Sequence, residues 1–260
     1  MHNFDFDRLD VKIISERLAS VPVDVCVFSE IDSTNNEAKR RALDGVDKPV
    51  LIISEKQSAG RGRMGRSFYS PEGTGLYMSL LLSVDGGFQN TVGITSAAAV
   101  AAVRAIRNVC GVETGIKWVN DIYFENKKIA GILAESFSVG ERFFTVIGIG
   151  VNMYTTEFPE ELYEIAGSIM AKKGSRSELA GAITEELVKL IYGLPNRDFM
   201  SEYRDSSIVL GKAVTFIENG QSFSGIAESI SDDGALTVVL ENGDKHVLKS
   251  GEISLRVKQR

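Results

Sequence analysis

With 260 residues, 43% of them hydrophobic, the chain is long enough to bury one large core and a second small one. A net charge of −6 gives no general attraction to the phosphate backbone of nucleic acids, so we expect no nucleic-acid partner. The first ten residues contain acids and no apolar run, and the longest weakly polar stretch, 92–103, is shorter than the roughly 18 residues of a membrane helix. We therefore expect neither export nor a membrane span.

Strands and helices alternate in the first part of the chain. Runs rich in β-branched residues predict short buried strands at 24–28 and 49–54. Between them, the sequence TNNE (34–37) has the pattern of a capping box and predicts the start of a helix that ends at Gly45. A further strand is predicted at 75–84.

The middle of the chain predicts two helices on either side of a run of strands. The first helix is the alanine-rich segment 91–110, and the second is 177–191, which has apolar residues at helical spacing. Residues 114–152 alternate and turn in the manner of an antiparallel meander, with Glu125-Asn126 as a turn.

From about Ile208 the sequence changes to short strands separated by hairpin-type dipeptides, which is typical of a small β-barrel. The dipeptides are Asn219-Gly220, Asp233-Gly234 and Asn242-Gly243. We predict an α+β fold with a large domain, 1–206, built on a mixed or antiparallel sheet with flanking helices. A small barrel, 207–260, follows it and leans on the larger domain.

The two cysteines, Cys26 and Cys110, form no C-x-x-C motif and no Cys/His cluster. This argues against a disulfide scaffold and a thiolate metal site, and it favours the reducing cytoplasm. Histidine occurs only at His2 and His246, so a Ser-His-Asp or Cys-His catalytic set is not expected.

The most unusual stretch is GRGRMGR (60–66), which alternates glycine and arginine. Glycine gives a loop freedom to move, and arginine offers a fork of donors that suits carboxylate and phosphate oxygens, so the segment predicts a loop that closes over an anion. It also contains the string G-x-G-x-x-G of a dinucleotide-binding turn, but Arg66 to Pro71 occupy the place where a helix should open. A solvated basic loop remains the alternative.

A second cluster is KWVND (117–121), with Lys128 close behind it. Lys117, Asn120 and Asp121 at a strand end could hold a phosphate and, through Asp121, a divalent ion, while Lys128 could approach a second anion. The alternative is an exposed turn with solvated lysines and a core tryptophan. Further on, the glycines of GIGVN (148–152) interrupt a strand, which indicates either a bulge or a close approach of the backbone to another group.

These motifs together resemble the biotin–protein ligase family. GRGRMGR is similar to the family's glycine- and arginine-rich biotinyl-adenylate loop, KWVND followed by KKIAGIL is similar to its K-W-P-N-D strand motif, and GEISLR (251–256) is similar to its C-terminal signature. The resemblance implies a class II synthetase-like catalytic domain with an SH3-like barrel. It also implies that biotin and ATP, with Mg²⁺, form an acyl-adenylate from which biotin passes to a lysine of a biotin carboxyl carrier domain.

The resemblance also implies roles for individual residues. Lys117 and Arg63 would be catalytic, because they would neutralise the reacting anions, and Asp121 would help to hold magnesium. The residues that would bind biotin are Ser33, Thr34, Asn35, Gln57, Gly60, Arg61, Gly62, Arg63, Lys128 and Gly131. The residues that would bind ATP or the adenylate are Arg66, Phe68, Lys117, Asn120, Asp121 and Asn152.

The sequence departs from the family pattern at Phe68, where relatives often have tryptophan, and at Val119, where many have proline. Only 31 residues precede Asp32, which is too short for the N-terminal winged helix-turn-helix of some relatives, so we expect a monofunctional ligase. That leading segment, with Ile13 and Ile14 at its centre and Leu18 one turn later, predicts one helix packed on the catalytic domain.

Three further hypotheses remain open. A lipoate or octanoate ligase or transferase would share the fold, and a non-catalytic biotin-binding regulatory protein would share the biotin site. An exposed edge strand of the meander could pair two subunits in a homodimer or could simply be covered.

Overall fold

The computed structural model describes residues 7–83, 93–194, 196–218 and 220–249, together with the backbone of 256–257. Part of the predicted helix at 91–110 (residues 91–92), the end of the predicted strand at 75–84, and most of the GEISLR motif lie outside these residues. None of the helices in the described ranges is both long enough and apolar enough to cross a membrane.

A seven-stranded mixed sheet forms the centre of the molecule. Its strands lie in the order β1-β2-β3-β7-β6-β5-β4, in which only the pair β1–β2 is parallel. The predicted mixed sheet and its meander are therefore confirmed, and positive φ angles at Glu125 and Asn126 form the predicted turn. The strands are β1 (Asp24–Ile31), β2 (Val50–Gln57), β3 (Gly75–Ser83), β4 (Gly115–Lys117), β5 (Asp121–Phe124), β6 (Lys127–Val139) and β7 (Arg142–Asn152).

Helices cover both faces of this sheet. Alternate residues of β2 point to opposite sides: Leu51 and Ile53 join the main core with α3 and α4, whereas Val50 and Ile52 pack with α2. The helices are α1 (Val11–Arg17), α2 (Thr34–Asp44), α3 (Ile94–Ala105, continued by a π-helical turn at Ile106–Cys110), α4 (Arg176–Tyr192) and α5 (Phe199–Asp205).

Two details of the predicted helices differ from the sequence interpretation. Helix α2 begins as predicted, but its N-cap residue is Ser33 and no side chain caps it. The Thr34 hydroxyl, which the capping-box pattern assigned to the cap, contacts Gln57 Oε1 instead. Helix α1 is present and packs on α4, with Ile14 buried but Ile13 39% exposed, so Ile13 does not belong to its buried face.

A small antiparallel sheet follows, with strands in the order β11-β10-β9-β8-β12. Positive φ angles of 78°, 83° and 87° at Gly220, Gly234 and Gly243 fit the three predicted hairpin turns. In the part of the chain that the structure describes, no pairing joins β11 to β12, so the sheet is open. Its strands are β8 (Ala213–Glu218), β9 (Gln221–Ile230), β10 (Leu236–Leu240), β11 (Lys245–Leu248) and β12 (Arg256–Val257).

The small sheet is attached closely to the large one. Ile116 of β4 donates its backbone N–H to the Ser206 carbonyl at 2.7 Å and accepts from the Ile208 N–H at 2.9 Å, so the edge of the meander is covered. Buried residues of the small sheet, among them Phe216 and Leu236, belong to the same apolar cluster as the core of the large domain. The chain segment at 206–208 therefore joins the two parts without separating their cores.

Candidate active site

A cavity of about 750 Å³ lies between the arginine-rich loop, the N-terminus of α2, the β4–β5 turn and strands β6 and β7. Every residue that the sequence analysis assigned to biotin or ATP lines it, with the exception of Gly60. At Gly60, the first residue of the loop, an added Cβ would come within 2.4 Å of the Phe68 carbonyl oxygen. The structure thus brings distant motifs of the sequence to one cavity.

A polar network forms one end of the cavity. Gln57 Oε1 accepts hydrogen bonds from the backbone N–H of Thr34 at 2.8 Å and from its hydroxyl at 3.1 Å, and Gln57 Nε2 donates to Ser70 Oγ at 2.9 Å. The buried Ser79 hydroxyl lies 2.6 Å from Asn35 Oδ1 and 2.7 Å from Thr34 Oγ1. These bonds fix the side chains around this end before any ligand binds.

The glycines that interrupt β7 make room for side chains of the site. A Cβ built at Gly148 would lie 2.1 Å from Asn35 Oδ1, and one built at Gly150 would lie 2.5 Å from the Phe68 ring. The close approach that the glycines indicated in the sequence is therefore an approach of Asn35 and Phe68 to the strand.

The arginine-rich loop is a tight hairpin. Arg61 forms a β-bridge with Ser67, and the Gly62 N–H donates to the Arg66 carbonyl at 2.7 Å, with a short 3₁₀ turn at Arg63–Gly65 between them. No helix follows the loop at residues 66–71, so its geometry differs from that of a dinucleotide-binding turn.

Arg63 connects this loop to the β4–β5 turn. Its guanidinium NH1 donates to Asn120 Oδ1 at 2.9 Å, while Asn120 Nδ2 donates to the Ile132 carbonyl at 2.9 Å. Burial lowers the pKa of Arg63, the charge of Asp121 raises it and the charge of Arg66 lowers it further. A half-buried guanidinium of this kind interacts strongly with an anion that enters the cavity.

Two lysines face the same cavity from neighbouring strands. Lys117 Nζ donates to Tyr123 Oη at 3.3 Å and lies 5.1 Å from the centre of the Tyr123 ring. Burial raises the pKa of Tyr123 to about 12, so its hydroxyl remains protonated at neutral pH. Lys128 Nζ lies 2.7 Å from Asp121 Oδ1, which neutralises that carboxylate.

Another part of the cavity lining combines an amide with apolar side chains. Asn152 is 6% exposed, and its Nδ2 donates to the Gly167 carbonyl at 3.0 Å. Its Oδ1 is buried and has no hydrogen-bond partner among the described residues, so it can accept a bond from a ligand. Phe68 and Leu162 line the same cavity and supply apolar surface.

Several residues of the site and its surroundings belong to no motif of the sequence. The segment around Phe158 and Leu162 lines the cavity, although no periodic pattern predicted it. The Trp118 indole N–H donates to the Gly234 carbonyl of the small sheet at 2.8 Å, and the Tyr203 hydroxyl donates to the Val119 carbonyl at 3.0 Å. The partners in these bonds are far apart in the chain, so no local spacing could have revealed them.

This arrangement defines a class of site. Cationic side chains line a cavity that also has hydrogen-bonding groups and apolar surface. Such a cavity can hold two anionic molecules side by side while it neutralises their charges. These features are those of an enzyme that joins anionic molecules, or transfers groups between them, without acid–base catalysis by a histidine.

Comparisons with known proteins identify the family. Residues 27–152 match the model of the Biotin/lipoate A/B protein ligase family, and residues 209–256 match the Biotin protein ligase C terminal domain. The bifunctional ligase/repressor BirA of Bacillus subtilis is 35% identical over 236 residues, which are 86% of this chain and 72% of that protein. The chain belongs to the biotin–protein ligase family.

Two further relatives agree with this placement. The biotin–[acetyl-CoA-carboxylase] ligase of Mycobacterium tuberculosis is 33% identical over 236 residues, which are 84% of this chain and 86% of that protein. The structure of biotin protein ligase from Aquifex aeolicus in complex with biotin and ATP is 27% identical, with a TM-score of 0.76 over 90% of this chain and 99% of that one. The fold that the resemblance implied, a mixed sheet with flanking helices followed by a small C-terminal β-domain, is thereby confirmed.

Proposed function

We propose that this protein is an ATP-dependent biotin–protein ligase of the biotin–[acetyl-CoA-carboxylase] type. In the first step, the biotin carboxylate attacks the α-phosphate of ATP, so that biotinyl-5′-AMP forms and pyrophosphate leaves. In the second step, the amine of an acceptor lysine attacks the biotinyl carbonyl, an amide forms and AMP leaves. The observation that carries the proposal is the cavity in which Arg63, Lys117 and Lys128 meet.

The three cations explain how the first step can proceed. Biotin carboxylate and ATP repel each other, and positive side chains around the cavity lower the cost of bringing them together. Lys117 would neutralise the carboxylate and α-phosphate as charge builds on the phosphate oxygens, and Arg63 would hold the adenylate. The reaction requires no nucleophile of the enzyme and therefore no histidine to activate one. This agrees with a sequence whose two histidines are His2 and His246.

We assign the two substrates to different parts of the cavity. The polar network around Thr34, Asn35 and Gln57 suits the polar ring of biotin, and the loop residues Arg61 and Gly62 would close over it. Asn152 suits the adenine, because its buried Oδ1 can accept a hydrogen bond from an amino group. Phe68 offers an aromatic face that takes the place of the tryptophan of many relatives. The remaining groups that we assign to substrate binding are Ser33, Arg66, Asn120, Lys128 and Gly131, whereas Gly60 would shape the loop without lining the cavity.

Magnesium would bind together with ATP. The described residues contain no cluster of three acidic, cysteine or histidine side chains that could hold a metal ion alone. Asp121 is one carboxylate at the cavity, and Mg²⁺ often combines one such ligand with substrate phosphates and water. Asp121 therefore fits a metal that the nucleotide brings, and the metal would neutralise phosphate charge.

We further propose that the acceptor is the biotin carboxyl carrier domain of a biotin-dependent carboxylase, and that the reaction takes place in the cytoplasm. Cys26 and Cys110 are both free thiols, which suits a reducing compartment. The large domain would end near residue 206 and the small one would begin at 207. A homodimer stays a prediction, and light scattering across a range of protein concentrations would test it.

Intact-mass spectrometry of a carrier domain tests the function. The carrier is incubated with this protein, ATP, Mg²⁺ and biotin, and lipoate and octanoate replace biotin in parallel reactions. The proposal predicts one biotinyl adduct that requires ATP and no adduct with the other acids. An adduct with lipoate alone would assign the protein to lipoate ligation, and binding of biotin without any adduct would indicate a regulatory binding protein.

A further inference from the structure

Glu135 of β6 is an acidic residue that does not line the cavity but contacts two residues that do. Its Oε2 accepts a hydrogen bond from Asn35 Nδ2 at 2.9 Å, and its Oε1 lies 3.3 Å from Arg61 NH2. Lys39 of α2 also contacts Oε1, at 2.8 Å, from outside the cavity. One carboxylate therefore connects the start of α2 with the first arginine of the loop.

The charge of Glu135 determines how the Asn35 amide is oriented. An ionised carboxylate only accepts hydrogen bonds, so the Asn35 NH₂ group must face Glu135. Its Oδ1 then faces the Ser79 hydroxyl, 2.6 Å away, in the space left by the missing side chain of Gly148. A neutral amide at position 135 could present either end to Asn35, which would leave the Leu133 carbonyl, 3.4 Å from Asn35 Nδ2, as the remaining acceptor that holds this orientation.

The same carboxylate anchors the loop. Arg61 NH1 donates to Asn36 Oδ1 at 3.0 Å, and the ion pair with Glu135 holds the other side of its guanidinium. Arg61 also begins the bridge with Ser67 that closes the hairpin. Because several glycines leave this loop free to move, the anchor at Arg61 restricts where the loop can lie over the cavity.

The surroundings of Glu135 keep it ionised. Burial acts to raise its pKa, but hydrogen bonds from Lys39 and Asn35 and the charges of Lys39 and Arg61 lower it on balance. A carboxylate near an anion-binding cavity would repel the ligand, and the two cations beside it neutralise that charge. The cluster can therefore position its neighbours without opposing the binding of an anion.

We propose that Glu135 is a positioning residue of the ligase reaction, which acts through Asn35 and Arg61 to hold the arginine-rich loop over the polar network of the cavity. This inference rests on the proposed function. It assigns Glu135 to retention of biotin and of the adenylate, and it assigns the residue no contact with the reacting atoms.

The substitution Glu135→Gln, compared with Glu37→Gln, tests the proposal. Glu37 is a matched control, because its side chain is 15% exposed against 22% for Glu135 and it also forms two ion pairs, with Arg40 and Arg41, but it contacts neither the loop nor Asn35. For Glu135→Gln we expect the KM and the Kd for biotin to rise about tenfold, as the loss of a charged hydrogen bond predicts. We expect kcat at saturating biotin to change less than about threefold, since chemistry is untouched.

A double-mutant cycle with Arg61→Ala shows whether Glu135 acts through the loop. If it does, Glu135→Gln causes a smaller loss in the Arg61→Ala background than in the wild type, because the Arg61 contact is already gone and only the contact with Asn35 remains. Calorimetric titration of biotin into each variant measures the Kd for biotin, and with it the coupling between the two substitutions, without turnover. A wild type that binds biotin but modifies no carrier would therefore overturn the proposed function and still decide the inference.

Three results would overturn the inference. Equal effects of the glutamine substitutions at 135 and 37 on biotin binding would make Glu135 an ordinary surface carboxylate. A fall in kcat with unchanged KM would place its role in chemistry. Fully additive losses in the cycle with Arg61→Ala would show that it does not act through the loop.

Discussion

Three cations of the cavity are each held by a neutral or acidic partner before a ligand arrives. Arg63 contacts Asn120, Lys117 contacts Tyr123, and Lys128 pairs with Asp121. Side chains that are fixed in this way need little rearrangement when charge develops on the ligand, and that is the main source of electrostatic catalysis.

Lys117→Ala separates binding from chemistry. We expect biotin binding to persist, because the polar network at the other end of the cavity is intact, and we expect adenylate formation to fall by about 10²- to 10³-fold, as for other groups that stabilise a developing anion. Quench-flow measurement of adenylate reports the rate. Lys56→Ala, at an exposed lysine paired with Glu30, is the control and should be neutral. An unchanged rate for Lys117→Ala would remove the residue from the catalytic role.

Arg63→Ala should affect retention of the intermediate more than its formation. The guanidinium bridges the loop and the β4–β5 turn through Asn120, so its loss opens the cavity on that side. We expect biotinyl-5′-AMP to appear in solution during turnover without a carrier, as measured by chromatography of the filtrate. Complete retention of the adenylate by this variant would contradict the role.

Asn152→Ala tests the adenine end. Loss of one hydrogen-bond acceptor should raise the KM for ATP about tenfold, given the usual contribution of such a bond, and should leave the Kd for biotin unchanged. Steady-state kinetics with each substrate varied in turn measures both. If biotin binding weakens as much as ATP binding, Asn152 has a structural role through its bond to the Gly167 carbonyl.

At the residue scale, the residues that sequence motifs assigned to biotin and ATP all line the cavity except Gly60. The motifs failed where a side chain has a distant partner: Thr34 resembles a helix cap in the sequence but is engaged by Gln57, and Glu135 has no motif of its own. Glu135 is 100 residues from Asn35 in the chain, and only the pairing of β6 and β7 beside α2 brings them together.

At the scale of elements, β7 shows how a strand is adapted to the site. Its glycines weaken the strand by themselves, yet they allow Asn35 and Phe68 to lie against the backbone. The strand and the helices could be predicted from periodicity because they bury regular apolar faces. The reason for the glycines could not be predicted, since it depends on side chains from α2 and the loop.

Gly148→Ala should displace Asn35. The new methyl group would begin 2.1 Å from Asn35 Oδ1, and overpacking of this kind costs about 1–3 kcal/mol. We expect a lower melting temperature and biotin binding at least about tenfold weaker, measured by calorimetry. Gly193→Ala is the control, because its φ is −90° and its nearest contact would be 3.4 Å. Normal biotin binding by Gly148→Ala would show that Asn35 does not need this space.

At the scale of the whole molecule, the small sheet is connected to the β4–β5 turn. The Trp118 indole reaches the Gly234 carbonyl, and Tyr203 of α5 holds the Val119 carbonyl on the other side of the same turn. Lys117 and Asn120 flank these two residues in the chain. The small sheet therefore supports the segment that presents Lys117 to the cavity.

Trp118→Phe removes the indole N–H and keeps an aromatic ring. The Gly234 carbonyl would lose its partner at a cost of about 1–3 kcal/mol, so we expect a lower melting temperature together with a lower rate of adenylate formation. Val247→Ala, at an exposed position of the small sheet, is the control and should change neither. A stability loss with a normal rate would mean that this contact does not position the turn.

The sequence predicted both parts of the molecule because each has its own pattern, helix and strand periodicity in one and hairpin dipeptides in the other. It could not predict how closely they share one apolar core, since buried residues of both sheets join in a single cluster. The backbone bonds of Ile116 to residues 206 and 208 also covered an edge that the sequence had left open.

Biotin-dependent exchange of labelled pyrophosphate into ATP tests the central claim most directly. The reaction contains this protein, ATP, Mg²⁺ and biotin, without any carrier domain. Reversible formation of biotinyl-5′-AMP in the cavity predicts exchange that requires biotin and disappears in Lys117→Ala. Exchange that is absent in the wild-type protein, or that proceeds equally well without biotin, would contradict the account.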